Sequence, residues 1–183
     1  MEYREYREHV LKEIENSVNM VDDSQVDLFI NKIINANRVF CDGKGRSGLQ
    51  AKAFAMRLSQ MGIISYETSE ATTPAIGTRD LLIICSGSGE TPNLIEHAKK
   101  ALSLEAEVVL ITTNTDTALG ELCNSKLIIW AESKREDTKK SIQPLGTLFE
   151  QTLEIFFDII VLILMDKLLI NNDDMYAKHN NLE

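Results

Sequence analysis

The sequence predicts an α/β fold: a three-layer α/β/α sandwich around a five-stranded parallel sheet, with a helical N-terminal extension. Three observations carry this. Short apolar runs alternate with amphipathic stretches of helical length, which implies right-handed crossovers and parallel strands. One run, Leu81-Leu82-Ile83-Ile84-Cys85, is apolar without interruption, the pattern of a strand covered on both faces. Two glycine-rich loops, Gly43 to Gly48 and Ser86 to Thr91, each follow such a run and precede a helix, as loops at the carboxyl ends of parallel strands do.

The elements follow in order. Val10, Leu11, Ile14 and Val18 recur at helical spacing and give a first helix ending near Asn19. Asp23 or Ser24 can cap a second helix carrying Leu28, Phe29, Ile33 and Ile34. Val39-Phe40-Cys41 reads as the first strand, Ser47 to Met61 as a packed helix stopped by Gly62, and Ile63 to Tyr66 as the second strand. Leu81 to Cys85 is the third strand. Pro92 suits the first position of a helix running to about Leu104, because its missing N–H has no partner there in any case. Val108 to Thr112, Ala118 to Cys123 and Leu127 to Trp130 read as strand, short helix and strand. Ala131 to Gln143 is polar and reads as a loop, and a long helix runs from about Leu145 to Ile170. One domain is expected over 1–183: a helical extension at 1–36, an α/β core at 37–170 and a polar tail at 171–183.

Bulk properties narrow the function. A length of 183 residues suits one domain with a substantial core. The formal charge of −9 argues against nucleic acid, whose phosphates need clustered Lys and Arg. The mixed-charge stretch Glu132 to Lys140 reads as a solvated loop. Cys41, Cys85 and Cys123 are odd in number and lack paired or metal-ligand spacing, which suits buried thiols in a reducing cytoplasm. The N-terminus is charged and has no apolar core behind it, so no signal peptide is expected. The apolar stretch from Leu148 to Leu169 carries Glu150, Glu154, Asp158, Asp166 and Lys167. It is therefore expected to be a buried helix, packed on its own sheet and a second subunit, rather than a membrane span.

Glycine-rich loops ahead of helices hold anions, because backbone N–H groups can approach the ligand closely and the helix terminus adds partial positive charge. The first loop, Gly43-Lys44-Gly45-Arg46-Ser47-Gly48, fits the G-x-G-x-x-G spacing of a dinucleotide site, with Glu67 where a ribose-binding acid would stand. A second loop with hydroxyls at Ser86, Ser88 and Thr91 is not required by such a site, and the chain is short for a nucleotide domain plus a substrate domain. Two loops sharing one crevice point instead to a phosphorylated small molecule. Gly45, Arg46, Ser47, Ser86, Gly87, Ser88, Gly89, Glu90 and Thr91 are the candidate binding residues. For Arg46 and Ser47 the alternative is a loop-building role. Glu90 can face the substrate or cap the helix at Pro92.

Taken together, the two loops resemble the sugar isomerase (SIS) domain, whose Ser/Thr-rich loop after a central strand grips a sugar phosphate. Gly45-Arg46-Ser47-Gly48-Leu49, Ala51 to Leu58, Gln143 to Gln151 and the ending His179-Asn180-Asn181-Leu182-Glu183 resemble 6-phospho-3-hexuloisomerases over nearly the whole chain. Lys44 stands where a small residue is expected and Asn180 where alanine is; whether Lys44 serves the anion or extends into solvent is left open.

The resemblance implies a flavodoxin-like SIS fold and a cytoplasmic homotetramer acting on a phosphorylated hexulose, with no nucleic acid or membrane partner. It implies interconversion of D-arabino-3-hexulose 6-phosphate and fructose 6-phosphate in the ribulose monophosphate pathway. That chemistry moves a proton between neighbouring carbons through an enediol, which a single carboxylate can shuttle with no metal or organic cofactor. Glu150, in the first turn of the long helix, is the candidate, with helix capping as its alternative. The resemblance also brings His179 to an active site, its own subunit's or a neighbour's, for hydroxyl proton transfer or ring opening. His97 and His9 are expected at the surface. The alternatives are a non-catalytic phosphosugar-binding module, as in regulators, and an isomerase of another phosphosugar.

Overall fold

The computed structural model describes residues 1–131 and 141–182. The element order is α1 (Tyr3–Asn19), α2 (Asp23–Asn35), β1 (Val39–Gly43), α3 (Gly45–Met61), β2 (Ser65–Glu67), β3 (Leu81–Cys85), α4 (Pro92–Ser103), β4 (Glu107–Thr112), α5 (Ala118–Leu122), β5 (Ser125–Ile128), α6 (Thr147–Leu168) and α7 (Asn172–Tyr176). Five parallel strands lie in the order β2-β1-β3-β4-β5. The chain winds outward in both directions from the β1/β3 pair, so their carboxyl ends open a crevice between the two loops that follow them.

Side-chain alternation divides the core. Val39, Cys41, Leu81, Ile83, Cys85, Val109 and Ile111 face one way and pack with α2, α3 and α6; Phe40, Leu82, Ile84, Val108 and Leu110 face the other and pack with α4 and α5. Phe54 of α3 and Phe157 of α6 stack at 4.0 Å between ring centroids, with Phe29 of α2 beside Phe54. Phe29, Ile30 and Ile33 place α2 inside this core, while α1 lies on α6 with only Ser17 buried.

Local chemistry corrects several boundaries. α2 is capped by Asp22, not by Asp23 or Ser24: its Oδ1 accepts from the backbone N–H groups of Ser24 and Gln25 at 2.9 and 3.1 Å. Gly62 ends α3 at φ 90°. Ile63 is drawn into that helix end by a bond from its N–H to the Leu58 carbonyl, so β2 begins only at Ser65. β5 is Ser125–Ile128, displaced from the expected Leu127 to Trp130. The expected mixed-charge loop 132–140 lies outside the described residues. The polar tail carries one further turn of helix, α7, whose Asn171 cap accepts from Asp173 and Asp174; it folds back on α3, where Met175 touches the core.

Candidate active site

Gly43 and Gly48 let β1 and α3 meet: a Cβ on Gly48 would stand 2.6 Å from the Gly43 carbonyl oxygen. This contact lays the first turn of α3 over the end of the sheet. Gly45 turns the chain into α3 at φ 61°, a conformation that glycine adopts without strain.

After β3 the chain makes the second loop. Gly87 offers its carbonyl to the Thr113 hydroxyl at 2.8 Å, and its bare Cα face meets the ring of Phe149. Gly89 takes φ 63° and lies where a Cβ would collide with Thr117. The Ser86 hydroxyl accepts from the Gly89 N–H at 3.2 Å, and the Ser88 hydroxyl from the Glu90 N–H at 3.3 Å. Both retain a proton to donate. Thr91 is the N-cap of α4, and its hydroxyl caps nothing within the helix. The first-turn N–H groups of α4 point the same way.

The third wall is the start of α6. Thr147 donates its hydroxyl to the Pro144 carbonyl at 2.6 Å, and the Glu150 N–H bonds the Gly146 carbonyl. Upstream, Glu13 of α1 accepts from the Ser141 hydroxyl, the Ile142 N–H and the Gln143 amide at 2.7, 3.0 and 3.1 Å, fixing the approach to the helix. Glu150 is nearly buried, and its Oε2 lies 3.0 Å from Nη1 of Arg46, which also donates to the Thr147 hydroxyl at 2.9 Å.

These walls enclose a cavity of about 170 Å³. Gly45, Arg46, Ser47, Ser86, Gly87, Ser88, Thr91 and Glu150 all line it, so the expected site residues come together with two exceptions and one displacement. Gly89 and Glu90 are not in the lining. Glu90 turns outward, and its Oε1 accepts from the Ala118 N–H at 2.9 Å, so it caps α5 rather than serving either expected role. Gly89 serves loop geometry.

His179 is exposed, its ring stacked on Tyr176, and the adjoining Lys178 lies against Gly62 at the far end of α3. A 17-residue helix is about 25 Å long, so the chain's own cavity is out of its reach. His9 is exposed, as expected.

Among the described residues the lining also includes Cys85, Leu94, Thr113, Gly146 and Phe149, which were not expected, and Lys44, whose place was left open between the anion and solvent. Behind Lys44 stands Asp42, fully buried, which accepts from the Gly43 N–H at 2.8 Å, lies 3.4 Å from the Lys44 ammonium and 2.6 Å from Nδ1 of His97. His97 is thus half-exposed and engaged, not a free surface residue. An acid at the end of an otherwise apolar strand was the available signal. The Cys41 and Cys85 thiols are pushed up, first by burial and then by neighbouring charges that include Asp42. Both are inert; Cys85 lines the cavity and Cys41 lies beside it on β1.

Comparison with known proteins fits this geometry. A model of the SIS domain matches residues 32–154. Over the full length of both chains, the sequence is 40% identical to a 3-hexulose-6-phosphate isomerase from Bacillus subtilis. It is 35% identical to one from Mycobacterium gastri, covering 95% of this chain and 88% of that one. A crystal structure of a hypothetical protein from Methanococcus jannaschii, for which a molecular function of 3-hexulose-6-phosphate isomerase was inferred, superposes with a TM-score of 0.86 at 31% identity, covering 98% of this chain and 99% of that chain.

Proposed function

The chain belongs to the SIS domain family, and on that premise we propose that it is a 6-phospho-3-hexuloisomerase, interconverting D-arabino-3-hexulose 6-phosphate and fructose 6-phosphate. The observation that carries this reading is the meeting, in one small cavity, of a hydroxyl-lined anion loop and a nearly buried carboxylate.

Ser86, Ser88, Thr91 and the first turn of α4 hold the 6-phosphate, with Ser47 across the crevice. The sugar then extends toward Glu150. Its carboxylate takes the proton from C2 of the 3-hexulose and returns it to C3, while the hydroxyl proton passes from O2 to O3. The carbonyl moves from C3 to C2 and the atom count is unchanged. Arg46, bridging Glu150 and Thr147, faces the charge that develops on the enediolate oxygens. The Phe149 ring, against the phosphate loop, helps keep water from the intermediate.

The working unit is a homo-oligomer, and the family pattern favours a tetramer. Ile155, Ile159 and Leu162 form an exposed apolar row at i, i+4 and i+7 on α6, α3 exposes Leu49 and Met56, and a second copy covers the row. His179 then serves a neighbour's cavity. Among the described residues no helix is long and apolar enough to cross a membrane, and three free thiols suit the cytoplasm.

The test offers purified protein D-arabino-3-hexulose 6-phosphate and reads fructose 6-phosphate with a coupled dehydrogenase. Turnover supports the reading. Tight phosphosugar binding without turnover would make the protein a non-catalytic sensor, and turnover only of a different phosphosugar would move the specificity.

A further inference from the structure

The charges around the cavity do not suit a dianion unless one of them is managed from outside. Among the described residues two cations line it, Lys44 and Arg46. Arg46 is matched by Glu150 at 3.0 Å. Lys44 is matched in turn by Asp42, 3.4 Å behind it. With both pairs closed, the described lining presents a sugar phosphate with hydroxyls and helix N–H groups but no unbalanced positive charge.

Asp42 has a second partner. It is fully buried at the end of β1, and its other oxygen meets Nδ1 of His97 at 2.6 Å from α4. A buried carboxylate with one cationic neighbour holds it tightly; with two it shares its charge between them. When His97 is imidazolium, the cluster Lys44–Asp42–His97 carries one net positive charge, and the member of it that lines the cavity is Lys44.

The other groups about His97 do not substitute for it. Lys100 shares the flank of α4, beside the Thr68 and Thr73 hydroxyls. Glu96, on the same helix, is paired with Lys99. From β2 and the segment after it, Glu67 accepts from the Ser69 hydroxyl and Glu70 is paired with Lys52. Among the described residues the remaining titratable groups around Asp42 are the Cys41 and Cys85 thiols, which its charge helps keep protonated.

We propose that Lys44 is a substrate-binding cation held at the cavity by Asp42, and that His97 is a positioning residue whose protonation releases the charge of Lys44 to the phosphate of the substrate. The inference rests on the phosphosugar reading of the cavity. It assigns Lys44 a role in affinity, and it makes that affinity depend on pH through a residue that does not line the cavity.

The sign follows from the charges. As pH rises and His97 loses its proton, Asp42 is left to Lys44 alone and phosphosugar affinity falls. The second ionisation of the phosphate, near pH 6, works the opposite way by making the ligand a dianion. A His97→Gln protein, which keeps a donor for Asp42 but no charge, shows that second effect by itself.

The experiment titrates fructose 6-phosphate and inorganic phosphate calorimetrically from pH 5.5 to 8.5 into wild type, Lys44→Gln, His97→Gln and the double variant, with KM and kcat measured alongside. Both side chains are partly exposed, so the variants are expected to fold, and a thermal melt checks this. Lys44→Gln is expected to weaken both ligands roughly 10-fold or more, the size of a lost hydrogen bond to a charged group, with the loss falling on KM rather than kcat. His97→Gln is expected to weaken binding most at low pH, its ratio to wild type shrinking as pH rises. In the Lys44→Gln background His97→Gln should do nothing further, since its effect passes through Lys44. Unchanged affinity in Lys44→Gln overturns the proposal, as does a His97→Gln ratio of one at every pH, or additive losses in the double variant. Wild type that neither binds fructose 6-phosphate nor isomerises it would overturn the phosphosugar reading itself, a separate outcome.

Discussion

Replacing Glu150 with Gln separates the two roles its position allows, proton carrier and structural partner. The amide keeps the side chain's shape and can still accept from Arg46, but it cannot take up a proton as a carboxylate. The structural loss is bounded by the surroundings: the ion pair with Arg46 spans 3.0 Å, but the Arg46 side chain is 51% exposed, so solvent screens it. Such pairs contribute about 1 kcal/mol at most. For a chain of 183 residues that is a fall in melting temperature of about 2–4 °C. The catalytic loss is of another order, since removing a general base typically costs about 10²–10⁴ in rate. The assay follows kcat by coupled detection of fructose 6-phosphate, and solvent deuterium entering the sugar carbons by NMR. Both should fall together while the melting curve barely moves. A Gln variant with near-normal turnover would refute the assignment. So would a kcat loss accompanied by a fall of ten degrees or more, which would show Glu150 to be a structural residue.

Further outcomes are expected elsewhere. Ser88→Ala removes a hydroxyl from the cavity lining; it should weaken phosphosugar binding by about 1.5–3 kcal/mol, measured by calorimetry, with the melting temperature unchanged. Gly48→Ala gains up to about 1 kcal/mol of helix propensity, but its Cβ would lie 2.6 Å from backbone oxygen at Gly43. Overpacking of about 1–3 kcal/mol should win; thermal melts should show a loss, whereas Gly77→Ala, with open space around it, should be near neutral. The thiols should resist a disulfide reagent at pH 8 until denaturant is added, because burial pushes Cys123 up to about 11 and Cys41 and Cys85 up further. Their folded values lie above the unfolded one, so stability should begin to fall as pH rises above about 8.5, as urea midpoints would register. Truncation after Tyr176 should abolish activity if His179 serves a neighbour's cavity, and mixed oligomers of that chain with Glu150→Gln should recover part of it; full activity of the truncated protein would make the tail dispensable.

What the sequence disclosed follows from the range of the interactions involved. β3 was legible to the residue because a strand covered on both faces must be apolar throughout. The helix after Gly89 was legible because Pro92 has few other places to sit. The shared cavity of the two loops was legible because their glycines and hydroxyls are contiguous. The failures lie where a partner distant in the chain decides. Glu90 looked equally fit for substrate or for its own helix, and the deciding partner is the Ala118 N–H, 28 residues on. Asp42 and His97 meet only because β1 lies beside β3 and α4 follows the loop after β3, and neither residue carries a local signal of the other.

The placement of Glu150 shows why a cavity built on β1 and β3 draws its carboxylate from so late in the chain. Parallel strands need helices on both faces, so the loops that leave β1 and β3 open straight into α3 and α4, the geometry of an anion site. A carboxylate facing the same cavity must then come from an element that returns across the sheet after β5. α6 does this, and its first turn has to be aimed. Pro144 and Gly146 shape that turn, but its anchorage comes from α1: Glu13 takes three hydrogen bonds from residues 141–143, and α1 in turn lies along α6. A helix that contributes little to the core thereby sets the approach of the one that carries Glu150, which accounts for an almost wholly exposed α1 ahead of a sheet that is already covered on both faces.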